Sequence, residues 1–182
     1  VKPRTSHSHP LEIAALDIPG GGRIGMTFCP GKQDPFAMTG AWARDLDTDL
    51  AVIRSWGASA LVTLMEQYEL VHLRVGHLGE AVRALGLDWY HLPIQDASVP
   101  SREFEAAWST SGEELRRRLV DGQSLVVHCR GGLGRTGLIA ARMLIELGES
   151  PLRALQRVRA ARPGAVETRE QERFVLEQVS VP

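Results

Sequence analysis

The chain has 182 residues, 43% of them hydrophobic and 24% charged, with a formal net charge of −1. That length suits one domain with a real core, and the near-neutral charge gives no support for a nucleic-acid partner or an anionic membrane surface. No apolar run reaches the ~18 residues of a membrane span; the two cysteines, Cys29 and Cys129, make neither a disulfide framework nor a zinc pattern, so a reducing, cytoplasmic setting is expected.

Residues 1–10, VKPRTSHSHP, read as a flexible tail without the apolar region of a signal peptide, and residues 11–182 as a single domain. LEIAALDI and PGGGRIGMTF read as two short strands around a Gly-rich turn, and CPGKQDPFAMTG as a loop. From Asp45 to Trp56, apolar residues at Leu46, Leu50, Ile53 and Trp56 have helical spacing, and SALVTLM comes next as a buried strand. Residues 66–86 are expected to be mostly helical, with a break at Gly76 and a stop at Gly86. DWYHLPI is a further buried strand and QDASVPS a loop. Ser101 caps a helix that runs to about Leu119, with an interruption expected over Ser109–Gly112.

SLVVH is the last strand. Thr136 to Leu147 is almost wholly apolar apart from Arg142 and Glu146, an i,i+4 pair on a largely buried helix. Ser150-Pro151 starts another helix, Pro163-Gly164 stops it, and a last helix from Thr168 is expected to turn Phe174, Val175 and Val179 toward the core. Arg116–Arg118 and Arg153, Arg157, Arg159 and Arg162 read as solvated helix faces. Strands alternating with helices give an α/β fold with a mainly parallel central sheet flanked by helices.

Between that last strand and the buried helix lies HCRGGLGRTG. A Gly-rich turn in this position can cradle a nucleoside triphosphate, a dinucleotide or a single phosphate. The triphosphate-binding pattern GxxxxGK[ST] is absent. Gly132-Leu133-Gly134-Arg135-Thr136-Gly137 does match GxGxxG, but that fingerprint expects a second strand ending in an acidic residue about 20 positions on. The chain instead continues into the capped helix SPLRALQRVRAARPG. The single-phosphate reading uses every residue. Cys129 and Arg135 bracket the loop as Cys-x5-Arg, the amides from Arg130 to Arg135 can converge on one dianion, and the helix N-terminus adds positive potential. Gly131, Gly132 and Gly134 let the backbone curl, and Arg135 offers a planar fork to two oxygens. The same electropositive nest favours a thiolate at Cys129.

His128-Cys129-Arg130-Gly131-Gly132-Leu133-Gly134-Arg135-Thr136-Gly137 resembles the HCxxGxxR[ST] signature of cysteine-dependent protein tyrosine and dual-specificity phosphatases. FCPGK, LGLDWYHLPIQD and RPGAVETREQERF extend the resemblance, from about Gly25 to Phe174, to the branch of cyclin-dependent-kinase-associated phosphatases. The resemblance implies a phosphatase catalytic domain that works through a phosphocysteine intermediate, without metal or cofactor, on a phosphoprotein. Phosphotyrosine is implied first, with phosphoserine or phosphothreonine as further substrates. It also implies roles for single residues. Cys129 would attack, while Arg130, Gly131, Gly132, Leu133, Gly134 and Arg135 hold the phosphate. Asp96, on the strand-to-helix loop LPIQDASVPS, would protonate the leaving oxygen; Asp88, at a strand start, lies at the wrong end of the sheet. His128 would brace the cysteine, and the Thr136 hydroxyl would stabilise the departing thiolate.

The late loop departs from the family pattern, since Glu167 stands where a glutamine often places the attacking water. Gln171 is left open between an accessory role and a capping box with Thr168. Lys32 is open between a phosphate contact and a plain turn. Cys29 is the one candidate to rescue an oxidised Cys129 as a disulfide. The alternatives for the whole chain are a catalytically silent phosphopeptide-binding module, a phosphoinositide phosphatase on the same loop, and an arsenate reductase, whose loop and acid occur in the reverse order. A monomer is expected.

Overall fold

The computed structural model describes residues 2–179. In chain order the elements are β1 (Ala14–Asp17), β2 (Arg23–Phe28), β3 (Gln33–Asp34), β4 (Trp42–Ala43), α1 (Leu46–Ser55), β5 (Ala58–Thr63), α2 (Gln67–His72), α3 (Leu78–Ala84), β6 (Asp88–His91), α4 (Arg102–Val120), β7 (Ser124–Cys129), α5 (Gly134–Glu146), α6 (Pro151–Ala161) and α7 (Arg169–Leu176). The main sheet has the order β1-β2-β7-β5-β6. Only β1, joined to β2 by a tight turn, runs antiparallel; β2, β7, β5 and β6 are parallel.

Parallel strands need helical crossovers, and right-handed crossovers decide the faces. Steps from β2 to β5 and from β5 to β6 carry α1 and α3 on one side, while the return through α4 to β7 places α4, α5 and α6 on the other. The two sides are consistent with the packing of α1 on α3 and of α4 on α5. Central β7 is covered on both faces, so LVVHC is buried throughout. Every residue of α5 is also buried, packed on β2, β7, α6 and α7. The expected Arg142–Glu146 pair forms at 2.8 Å. The chain leaves β5 toward the β6 edge and leaves β7 toward the β2 side. The carboxyl ends of these two neighbours therefore make the switch point at which open α/β sheets place a site.

Four details differ from the sequence expectations. Residues 2–10 are not a free lead: the Arg4 amide donates to Ala41 at 2.8 Å and its carbonyl accepts from Ala43 at 3.0 Å, adding to the small β3–β4 hairpin, whose first strand falls inside the stretch expected as loop. Ser6 Oγ accepts from the Asp45 amide at 2.9 Å; Val1 lies outside the described residues. No break occurs in α4, because Gly112 lets Trp108 lie flat on the helix, where a Cβ would come within 2.6 Å of the indole. Val179 is exposed, since α7 ends at Leu176, whereas Phe174 and Val175 do pack inward. Nor are all the arginines solvated: Arg159 and Arg162 reach backbone carbonyls. Among the described residues no helix is long and apolar enough to cross a membrane.

Candidate active site

Strand register brings the first groups together. Cys129 ends β7 opposite Phe28 of β2, and His128 lies opposite Thr63 of β5. Thr63 Oγ1 accepts from Trp89 Nε1 at 2.8 Å and lies 2.7 Å from His128 Nε2. His128 Nδ1 lies 3.4 Å from the Cys129 carbonyl, which can only accept, so the proton of the neutral ring sits on Nδ1 and Nε2 accepts from the Thr63 hydroxyl. Burial, reinforced by the Arg135 charge, pushes the pKa of His128 down to about 3. This histidine is neutral and its ring faces the backbone carbonyl of the cysteine.

After Cys129 the loop turns with its carbonyls outward, and each is held. Arg130 O accepts from the Cys29 amide at 3.3 Å and from Lys32 Nζ at 3.4 Å. Gly131 O and Gly132 O accept from Arg162, the former at 3.2 Å. Leu133 O accepts from the Gly137 and Val166 amides, at 2.8 and 3.3 Å. In a trans peptide the C=O of one residue and the N–H of the next point in opposite directions. Fixing carbonyls 130 to 133 on the outside therefore aims amides 131 to 134 at the inside. Gly132 makes the curl possible with φ +69°, where a Cβ would also strike the Thr27 backbone at 2.4 Å.

Arg135, in the first turn of α5, is buried. Its Nη1 and Nη2 grip Glu69 at 2.7 and 2.9 Å, Nη1 also donates to Ile94 O at 3.0 Å, and Nη2 lies 3.1 Å from Asp96 Oδ1. Hydrogen bonding to Glu69 and the nearby negative charges outweigh burial and hold the guanidinium above its ordinary pKa, fully charged. Arg135 Nε and Thr136 Oγ1 are buried and have no hydrogen-bond partner. Native interiors rarely leave such groups unsatisfied. An oxyanion in the loop would satisfy them.

The remaining expected residues separate into those at the nest and those behind it. Asp96 is at the nest, largely exposed, on a loop where Ala97 takes φ 57° and donates to Asp96 Oδ1 at 3.0 Å. Arg130 sits at the rim, held by Asp34 at 2.8 Å. Gln171 is fully buried and committed: Oε1 accepts from Glu167 and Thr168 amides at 3.1 and 3.3 Å, and Nε2 donates to Ser98 O at 3.1 Å. It completes the capping box with Thr168 and ties α7 to the Asp96 loop. Lys32 lies behind the loop, between the rings of Phe28 and Trp42, where desolvation pulls its pKa to about 8. Both cysteines are free. Cys29 is completely buried, its Sγ donates to Pro30 O at 3.6 Å, and burial pushes the thiol up, leaving it protonated.

Three residues escaped the sequence reading. Glu69 has one local signal, a reciprocal capping box with Glu66 at the start of α2. Glu167 appeared as a departure from pattern, and its carboxylate accepts from the Gly134 amide at 2.9 Å. Arg162 was hidden among helical arginines. Among the described residues no cluster of three or more His, Cys, Asp or Glu side chains is placed to hold a metal ion.

Comparison with known proteins agrees with this geometry. The model of the family described as polymorphic toxin system, DSP-PTPase phosphatase, matches residues 38–149. Cyclin-dependent kinase inhibitor 3 of Rattus norvegicus is 31% identical over 137 residues, 74% of this chain and 63% of the relative. The Homo sapiens protein of that name matches to the same extent. The match thus spans less than two thirds of these relatives' length. Among solved structures, kinase-associated phosphatase with a serine in place of its catalytic cysteine superposes with a TM-score of 0.80 at 27% identity, covering 92% of this chain and 93% of that one. Tk-PTP in its active form gives 0.63 at 28% identity, covering 91% and 98%. On the family match, the chain belongs to the DSP-PTPase phosphatases of polymorphic toxin systems, within the cysteine phosphatase superfamily and near its kinase-associated branch.

Proposed function

We propose that this protein hydrolyses phosphomonoesters of phosphoproteins, phosphotyrosine first, through a phosphocysteine intermediate. The observation that carries the reading is the pair of buried, unpartnered donors, Arg135 Nε and Thr136 Oγ1, in the first turn after the loop that Cys129 opens, with Asp96 beside the same guanidinium. In the first step Cys129 Sγ bonds to phosphorus as the ester P–O bond breaks. Asp96 gives its proton to the leaving oxygen, while Arg135 and the inward amides hold the equatorial oxygens. In the second step water attacks phosphorus, Asp96 takes its proton, the S–P bond breaks, and the Thr136 hydroxyl stabilises the departing thiolate.

Asp96 lying 3.1 Å from the Arg135 guanidinium, after the loop that Cys129 opens, favours turnover over a silent phosphopeptide-binding module. The loop carries no lysine and the formal net charge of the chain is −1, which favours a phosphoprotein over an inositol phospholipid. The relatives' names, which refer to kinases, lean the same way. A monomer acting in the cytoplasm fits the composition. The test is phosphate release from an aryl phosphate with EDTA present. Turnover lost in Cys129→Ser and Arg135→Lys supports the reading; no release by the wild-type protein, with phosphopeptide still bound, supports the silent module.

A further inference from the structure

The segment after α6 reads RPGAV. It leaves helical conformation at Arg162 (φ −137°, ψ 92°) and lies along the outside of the phosphate loop. Arg162 Nε donates to Gly132 O and Nη2 to Gly131 O, the latter at 3.2 Å. Two residues of the loop that carry no side chain are thereby held by one planar fork. Peptide planarity transmits the grip through the chain, since fixing these carbonyls outward fixes the Gly132 and Leu133 N–H groups inward. The clamp is itself braced: Arg159 of α6 donates to Ala165 O and Val166 O at 3.1 and 3.0 Å. Val166, a β-branched residue at φ 59°, costs backbone strain that only such bonds would maintain.

Resting on the phosphatase reading of the loop, we infer that Arg162 is a positioning residue: it aims two amides into the anion cradle and adds, from behind, a cation whose field favours the thiolate of Cys129 over the thiol. Other titratable groups bond to the loop or to Arg135. Arg130, Arg135 and Lys32 are basic, Glu69, Glu167 and the proton donor Asp96 are acidic, and neutral His128 and the protonated Cys29 contribute no net charge. Arg162 differs from these in holding the carbonyls of two successive loop residues with one guanidinium. Burial pulls its pKa below the ordinary guanidinium value, and attraction to Cys129 opposes that pull.

The test uses Arg162→Gln and Arg162→Lys, with Arg157→Gln as a control on the same helix, since Arg157 bonds Glu149 and Asp17 O instead of the loop. Iodoacetamide alkylation of Cys129, located by peptide mass, is measured against pH, beside kcat and KM on an aryl phosphate. Arg162→Gln is expected to slow alkylation about 10-fold at pH 6 with recovery at pH 9, and to lower kcat about 10- to 100-fold. Arg162→Lys keeps the charge but cannot straddle two carbonyls. Its alkylation profile stays within about twofold of wild type, while kcat falls about 10-fold.

An unshifted profile in a folded Gln variant overturns the electrostatic part, and wild-type kcat in the Lys variant overturns the aiming of the amides. If the Gln variant does not fold, the Lys variant alone decides: a 10-fold loss of alkylation at pH 6 contradicts a role carried by charge. Should the wild-type protein release no phosphate, the catalytic reading fails, and the alkylation arm still judges Arg162.

Discussion

Glu69 grips Arg135 through both terminal nitrogens, at 2.7 and 2.9 Å, and leaves Nε outside the pair. The two residues come from elements that succeed neighbouring strands, α2 after β5 and α5 after β7. The pair therefore forms at the switch point of the sheet and fixes the rotation of the guanidinium about its own plane. Buried ion pairs add little net stability, but removing one partner leaves a costly bare charge. Glu69→Gln should cost about 3 kcal/mol in denaturant unfolding and lower kcat about 10²-fold. Full activity in this variant would show that Arg135 is oriented by something else.

The contact between Glu167 and the Gly134 amide sets a carboxylate against the ligand. A phosphate dianion that takes this amide must displace Glu167 Oε2 from 2.9 Å. A neutral acceptor holds the same amide about half as strongly. In Glu167→Gln, inorganic phosphate and vanadate should therefore inhibit about fivefold more strongly, a gain of ~1 kcal/mol. Inhibition constants at fixed pH measure it, and weaker inhibition would contradict it.

His128 makes stability depend on pH with a definite sign. Its pKa is about 3 in the fold against the ordinary 6.5. Below about 6.5 the unfolded chain takes up a proton that the native protein refuses until near 3. Stability from the neutral ring is thus full above pH 6.5 and is lost as pH falls through that window. The expected slope is about 1.4 kcal/mol per pH unit. Urea unfolding at pH 6, 5 and 4 should show wild-type protein losing that much more per unit than His128→Gln. Equal slopes would mean that the histidine is not held neutral.

Local chemistry was legible in the sequence where its cause is local. The loop from His128 to Gly137 reads directly, because a cysteine, an arginine and glycines at fixed spacing leave few physical uses. The Thr168–Gln171 cap and the α5 helix were legible for the same reason. Glu69 and Arg162 were not, since their partners are set by strand order and by the path of the chain after α6. Strands as short as β3 and β4 carry no periodicity. Gly112 looked like a helix breaker because the Trp108 ring that needs it is visible only in three dimensions.

Asp96 can be isolated by the leaving group. A basic leaving oxygen needs the proton, whereas a nitrated or fluorinated phenolate departs without it. Asp96→Asn should lose about 10²- to 10⁴-fold on a phosphotyrosine peptide and clearly less on activated aryl phosphates, with a flattened basic limb of the pH–rate profile. An equal loss on every substrate would assign Asp96 to loop shape or binding.

A covalent intermediate at Cys129 is the most direct consequence of this chemistry. Rapid acid quench during turnover of an activated aryl phosphate, with peptide mass analysis of the quenched protein, should find one phosphoryl group on the sulfur of Cys129. The adduct should be absent in Cys129→Ser and should persist longer in Asp96→Asn, whose water lacks its base. Steady turnover with an unmodified Cys129 peptide, or a phosphoryl group on any other side chain, would contradict it.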